Sequence, residues 1–373
     1  MTAPLSVWHD FRDAARAFTQ PARRFLLAEF LAWLGHGVFQ VLFNLYLVEG
    51  GFKESFVGHA VSLNALGVAI AALPAGLLAD RWGRTRSLVL GVAIDGSAQL
   101  LRVSSLHGSV VLGASFGAGV GQALLAIAAA PFITEHSSPR ERTHLFSAFF
   151  AAALAAGVVG SMLGGWIPTA LRSLPAILDP GALGAYRIAL IVGGLFVMSA
   201  ALPLAGLARA GEKPATTHER RTTRADLRLL APTGLNAFLV GAGAGLVIPF
   251  MSLYFARRFA CSSAQIGMFF SAAQIVTAFA SLLAPAVARR FGKLRTAVAS
   301  QLLSLPFLVT LGAESHLPIA VGAFMVRATL MQASTPLMNA FVMEVLPPAL
   351  RARSSSLTNM AWNIGWAVTA TFA

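Results

Sequence analysis

The chain has 373 residues, of which 56% are hydrophobic and only 12% charged, and its mean hydropathy is +0.70. That balance excludes an ordinary soluble domain and points to an integral membrane protein. The net charge of +13 does not imply nucleic-acid binding, because the basic residues sit in short turns between apolar runs rather than on one soluble face. One cysteine, Cys261, excludes an intrachain disulfide framework and reads as a small buried residue near the outer face.

Residues 1–24 carry Arg12, Arg16, Arg23 and Arg24 on a partly amphipathic stretch, expected to form a cytoplasmic lead-in along the membrane. The first residues are polar and the first apolar run is full length, so no cleavable leader is expected. Apolar segments follow at 25–48, 56–79, 88–105, 108–134, 145–168 and 186–207, each near the ~20 residues a spanning helix needs. Together they make an N-terminal six-helix half, 25–207. A polar, Arg-rich stretch, 208–230, reads as a cytoplasmic linker. A second half, 231–373, holds segments at 231–256, 264–288, 296–313, 317–343 and 354–373. Most of the 28 Lys and Arg lie at the amino terminus and in alternate turns, whereas Lys53, Arg172, Arg187, Arg257 and Arg258 lie on the other side. This asymmetry places the N-terminus in the cytoplasm and the chain in the cytoplasmic (inner) membrane as a multi-pass protein.

Between segments 2 and 3 stands G-L-L-A-D-R-W-G-R-T-R, residues 76–86. So tight a basic turn makes a helical hairpin. Gly83 is suited to the positive φ of a sharp reversal, and Gly76 to close helix approach. Arg81, Arg84 and Arg86 hold the turn on the cytoplasmic side. Asp80 is placed to cap the next helix or to pair with a basic group. A degenerate copy lies 209 positions on, with Arg290, Gly292, Lys293 and Arg295 matching Arg81, Gly83, Arg84 and Arg86. The same shift carries Phe132 to Glu135 onto Phe341 to Glu344, Pro139 onto Pro348 and Arg142 onto Arg351. Three places sharing one register indicate a duplicated unit. By that register a complete second half would end near position 416, so the second half is expected to be truncated in helix 11, with the twelfth missing.

The loop resembles the signature between helices 2 and 3 of the major facilitator superfamily, G-x-x-x-D-R-x-G-R-x-R, at Gly76, Asp80, Arg81, Gly83, Arg84 and Arg86. Gly157 to Gly165 on helix 5 is similar to the G-P-x-x-G-G motif of that superfamily's drug:proton antiporters, with Ser161 where proline is usual. On helix 4 only Gly117 to Gln122 answers to the family's R-x-x-Q-G-x-G, and it lacks the arginine. The resemblance implies an all-α polytopic membrane protein of the major facilitator fold, with two pseudo-symmetric six-helix halves rocking about a midplane site. It implies that the turn from Asp80 to Arg86 is a gate. With Arg289 standing where the first copy has Asp80, the second turn is expected not to make equivalent contacts.

A polar side chain in the bilayer must face the bundle interior or a wet cavity. On helix 1, Glu29, Trp33, His36, Gln40 and Asn44 recur at spacings of four, three, four and four residues and so share one face. That stripe reads as a substrate-binding wall, or else as contacts to neighbouring helices. Arg327 lies deep in an apolar run, with Met331, Ser334 and Met338 beneath it. The family's helices 1, 4, 7 and 10 line the cavity, which by resemblance puts Arg327 and the helix 1 stripe around one space, with an anionic group or Glu29 as partner; a structural ion pair is the other reading. Asp95, Gln99 and Arg102 share a face of helix 3, read first as packing. Gln122 and Asn236 are lesser candidates. Asn359, Trp362, Asn363 and Trp366 form a polar-aromatic patch on helix 11.

Glu29 and Asp95 are the proton-coupling candidates. The leading expectation is a monomeric, proton-coupled exporter of drug-like or amphipathic small molecules, with the lipid bilayer and protons as its other partners and no nucleic acid. Uptake of a sugar, anion or other metabolite is the alternative, and a non-transporting scaffold or sensor the third. No phosphate loop, metal-ligand cluster or nucleophile elbow supports an enzyme, and no cofactor or metal is expected.

Overall fold

The computed structural model describes residues 18–138, 141–175, 179–207 and 224–372. Arg12 and Arg16 of the expected lead-in, Pro139, and residues 208–223 of the expected linker lie outside the described residues. Hydrocarbon cannot hydrogen-bond a bare backbone, so these apolar segments close their own ladders as helices. The first half holds α1 (Gln20–Glu49), α2 (Glu54–Trp82), α3 (Arg84–Ser104), α4 (Gly108–Glu135), α5 (Arg142–Arg172) and α6 (Gly181–Ser199), which continues as a short turn of helix, Ala201–Ala205. The second holds α7 (Arg224–Val247), α8 (Ser263–Phe291), α9 (Lys293–Ala313), α10 (Leu317–Val345) and α11 (Pro348–Ala370). Beyond α7 a 3-10 turn, Ile248–Phe250, leads into a further helix, Met251–Phe259.

Several helices outrun their apolar runs. Arg23 and Arg24, expected in the lead-in, belong to α1, whose start is capped by the Thr19 hydroxyl accepting from the Ala22 N–H at 3.4 Å. Likewise α7 begins inside the expected linker and α11 ahead of its apolar run. The helical ladder continues into the polar interface, where hydropathy no longer marks it. Conversely, only nine of the described helices are apolar enough to cross a bilayer by length and composition alone, and α3 and α11 are not among them. α3 carries Asp95, Gln99 and Arg102 buried, and α11 carries Asn359 and Asn363.

Packing repeats with the register of the duplication. α2 and α3 pack on α4 as α8 and α9 pack on α10, and α1 packs on α5 as α7 packs on α11. The halves meet through α2 against α11 and α8 against α5, and these two contacts exchange under the same relation. A Cβ on Gly58 of α2 would stand 2.3 Å from the Ala370 carbonyl oxygen, and one on Gly267 of α8 would stand 2.5 Å from that of Ser161. Gly58 and Gly267, and Ser161 and Ala370, are each 209 positions apart. α5 is a two-sided ridge of small residues: Gly160 and Gly164 abut α1 at Leu34 and Val38, while Gly157 and Gly165 abut α8 at Gln274 and Ser263.

The hairpin turns follow the same rule. Gly83 and Gly292 have φ of 95° and 86°, a region open to glycine, which lets one residue reverse the chain between long helices. Asp80 pairs with Arg84 at 2.6 Å rather than capping α3, and Arg84 reaches Glu135 at the end of α4 at 3.3 Å. In the second half Lys293 pairs with Glu344. This corrects the expected asymmetry: losing Asp80's counterpart removes one ion pair, but the tie from the turn to the end of the third helix persists in both copies. Gly76 is also corrected, since a Cβ there would meet only Ile127, at 3.9 Å, so no close approach requires that glycine.

The apolar cores show how the halves sit. At the end where α1 finishes and α2 begins, one core draws Phe43, Tyr46 and Val57 together with Phe255, Phe270 and Phe324. At the other end, which carries the basic turns, the cores are separate: Phe25, Leu88 and Phe132 in the first half, Ala284, Ala297 and Leu337 in the second, and Leu230, Leu346 and Leu350 beside them. Among the described residues the two halves therefore share one core at one face, which is sealed, and none at the face of the basic turns.

Candidate substrate cavity

Between the halves lies a cavity of about 770 Å³, within the usual ~300–1,000 Å³ of small-molecule sites. It runs from Ile133, Phe146 and Phe149 near the basic-turn face to Asn44 and Pro249 toward the sealed one. α1 forms its spine, since Glu29, Trp33, His36, Gln40 and Asn44 all line it, as the spacing of that stripe requires. Trp33 and Gln40 stand open to the space, whereas Glu29 and Asn44 are each only 7% exposed. Asn44 donates its amide to the Pro249 carbonyl at 2.5 Å, tying α1 to the 3-10 turn after α7. Trp362, Asn363 and Trp366 bring α11 into the wall, with the two indoles 4.7 Å apart.

Behind the α1 spine sits a polar group that spans three helices. His36 Nε2 meets Asp95 Oδ2 at 2.7 Å, and Oδ1 of the same carboxyl accepts from Gln99 at 3.0 Å and from Gln122 at 3.5 Å. Asp95 is fully buried and does not line the cavity, whereas the His36 side chain is 20% exposed and does. One turn beyond, the Arg102 guanidinium lies over the rings of Phe39 and Phe43, at 4.5 and 4.0 Å. It reaches the cavity wall, and its Nε has no hydrogen-bond partner among the described residues.

Three expected site residues lie elsewhere. Arg327 is buried, 6% exposed, but α10 packs against α8 and α9 and contributes nothing to this wall. The space it was expected to share with α1 is walled instead by α2, α3, α4, α5, α8 and α11, and by the turn at Ile248 and Pro249. Arg102, read from sequence as packing, is the arginine that faces the cavity. Asn236 and Asn359 are outside the wall, and Asn359 serves α11 itself, accepting from the Asn363 amide at 2.9 Å. Sequence reasoning also missed Asn64, which donates to the Ser115 carbonyl at 3.2 Å, and Gln274, which donates to the Ser161 hydroxyl at 3.1 Å. Each is an amide within an apolar run, the same signal that marked α1. Among the described residues no cluster of His, Cys, Asp and Glu has the arrangement of a metal site.

Comparison with known proteins follows the same lines. Among curated proteins none matches the chain by sequence. Among solved structures, a bacterial homologue of the human lysosomal transporter Spinster, in an inward-facing and unoccupied conformation, superimposes with a TM-score of 0.76 at 17% identity, over 94% of this chain and 81% of that one. The nucleoside transporter NupG gives 0.72 at 12% identity, over 95% and 90%, and a D-xylose-proton symporter gives 0.67 at 14%, over 95% and 89%. At these identities they establish the fold. The family model described as Major Facilitator Superfamily matches residues 25–370. With a duplicated helical unit, a polar stripe facing a cavity between its halves, and that match along nearly its whole length, the chain belongs to the major facilitator superfamily, whose members are transporters and not enzymes.

Proposed function

We propose that this transporter exports amphipathic, aromatic-bearing small molecules from the cytoplasm by proton-coupled alternating access, as a monomer in the cytoplasmic membrane with its N-terminus inside. One observation carries the reading: the cavity wall sets large aromatic surfaces, Trp33, Phe146, Phe149, Trp362 and Trp366, among polar side chains that are mostly neutral amides, such as Gln40, Asn64, Gln122 and Gln274, with Glu29, His36 and Arg102 as its titratable groups. Such a wall binds through apolar burial and orients through single hydrogen bonds. The sign of the basic turns supports the orientation, and the separated cores at that face then correspond to an inward-open state.

Uptake of a polar or anionic metabolite is the second reading, favoured by Arg102, whose Nε is unpartnered at the wall. Purified protein in sealed liposomes separates the two. Ligands are first sought by thermal shift among aromatic cations, neutral amphiphiles, sugars and carboxylates, then tested for flux with and without an imposed pH gradient. Export requires an aromatic amphiphile to move against a proton gradient. Saturable uptake of one polar compound with no amphiphile bound would favour the second reading, and no flux of any ligand would leave a scaffold or sensor.

A further inference from the structure

The arrangement of His36 and Asp95 has a consequence for how protons reach the interior of this protein. Asp95 is fully buried, and its two oxygens are divided. Oδ1 is occupied by the amides of Gln99 and Gln122, which donate and have no proton to give up, and among the described residues Oδ2 meets only His36 Nε2. His36 in turn lines the cavity, and its Nδ1 has no partner among the described residues. Among the described residues the imidazole is therefore the one titratable group touching both the cavity and the buried carboxyl. From α1, Glu29 lies two turns away on the same wall; from its own helix Arg102 supplies a positive charge; from α4 only the neutral Gln122 faces Asp95. α6 meets α3 at Gly96 through Met198, which is uncharged.

Resting on the transporter reading, we propose that His36 relays protons between the cavity and Asp95, which is the buried proton store. The step balances without any co-reactant but a hydrated proton. A hydronium ion in the cavity gives up one O–H proton to Nδ1 and is left as water, the Nε2–H bond breaks, and that proton bonds to Oδ2. His36 is left neutral with its proton on Nδ1, and Asp95 is left as a neutral acid donating to Nε2. Release runs in reverse: Oδ2 returns its proton to Nε2, and Nδ1 gives one to water. The charge at the α1–α3 contact changes by one on each transfer, at the seam between the cavity spine and the helix behind it, so loading Asp95 alters the attraction that holds the two helices together.

The test needs no substrate, so it is separate from the liposome assay: the relay can fail in a working transporter, and transport can fail while the relay stands. The protein in detergent or bilayers is given a rapid pH drop while the infrared carbonyl stretch of protonated carboxylic acids is followed. The component lost in Asp95→Asn belongs to Asp95. In His36→Gln, whose amide can still donate to Oδ2 but cannot relay, that component should rise at least about tenfold more slowly to the same endpoint, the scale on which a positioned acid-base group acts. In His36→Ala, added imidazole should restore the rate, which a merely structural histidine would not allow. Thermal melting of each variant checks folding, and if His36→Gln does not fold, the His36→Ala pair with and without imidazole carries the result. An unchanged rate in both variants, or no component lost in Asp95→Asn, overturns the proposal.

Discussion

Placing a methyl group on Gly58 or Gly267 should act on the sealed face rather than on the fold at large. A Cβ at these positions would lie 2.3 Å from the Ala370 carbonyl oxygen and 2.5 Å from that of Ser161, where 3.4 Å begins ordinary contact. Each neighbour is backbone and cannot swing aside, so α2 and α11, or α8 and α5, must separate by about 1 Å, at the ~1–3 kcal/mol that overpacking costs. Within either half the helices are untouched, because both contacts lie between halves. The cost therefore falls on the state in which this face is closed, and the population ratio should move by about 5- to 150-fold toward the state in which it is open. Spin labels at His107 and His316, the equivalent turns of the two halves at this face, would report it by their distance distribution in bilayers, with Cys261, the only cysteine, first replaced by Ala. The two substitutions should shift the distribution in the same direction, since the contacts exchange under the duplication. A distribution unchanged by both would refute the reasoning, and so would opposite shifts.

Other expectations follow from the ties around that contact. Arg257 pairs with Glu54 across the halves at 2.9 Å, but the side chains are 63% and 53% exposed, so Arg257→Gln should move the same equilibrium by no more than ~1 kcal/mol and less at high salt. Asp80→Asn removes the pair with Arg84 that only the first half possesses; it should shift the state populations with little change in ligand affinity, and a normal distance distribution would count against a gating role. Glu29→Gln should abolish gradient-driven accumulation while sparing exchange, and persisting accumulation would exclude Glu29 from coupling. Before α10, the N–H groups of His316 and Ser315 and the His316 ring hold the half-buried Glu314 carboxyl below its ordinary value. A carboxyl depressed in the folded state stabilises above the unfolded carboxylate range and loses that contribution as pH falls through its lowered value. Protection of the Ser315 and His316 amides against exchange, taken relative to the intrinsic rate at each pH, should accordingly fall in acid, and Glu314→Gln should flatten that profile.

Much of the architecture was legible because a lipid-facing helix must be apolar and a tight basic turn must be glycine-dependent. Gly83 and Gly292 take the positive φ their turns need, and the 209-residue register carries through to Gly58 and Gly267 in contact space. The same register already contained the tie from Lys293 to Glu344, since Arg84 and Glu135 map onto those residues; only the pairing itself had to be seen once. The stripe on α1 was legible because five polar residues fix a face without outside help. A lone charge does not. Arg327 and Arg102 each sit in an apolar run, and which of them meets the cavity depends on how the helix is rotated against its neighbours, set by small residues on other helices. The meeting of His36 with Asp95 was equally hidden, because each belongs to a different helix and nothing in either segment names the other. Hydropathy understated α3 for the same reason: the polar residues it carries are turned inward.

The account stands on a cavity that reaches each side of the membrane in turn. Asn64 lines that cavity on α2, and Asn64→Cys in the Cys261→Ala background can be exposed, in sealed vesicles of known orientation, to a membrane-impermeant thiol reagent applied from one side and then the other. Reaction from both sides is expected, with Gly58→Ala raising the rate from the face that is sealed here and lowering it from the face of the basic turns. Reaction from one side only, unaltered by Gly58→Ala, would contradict it.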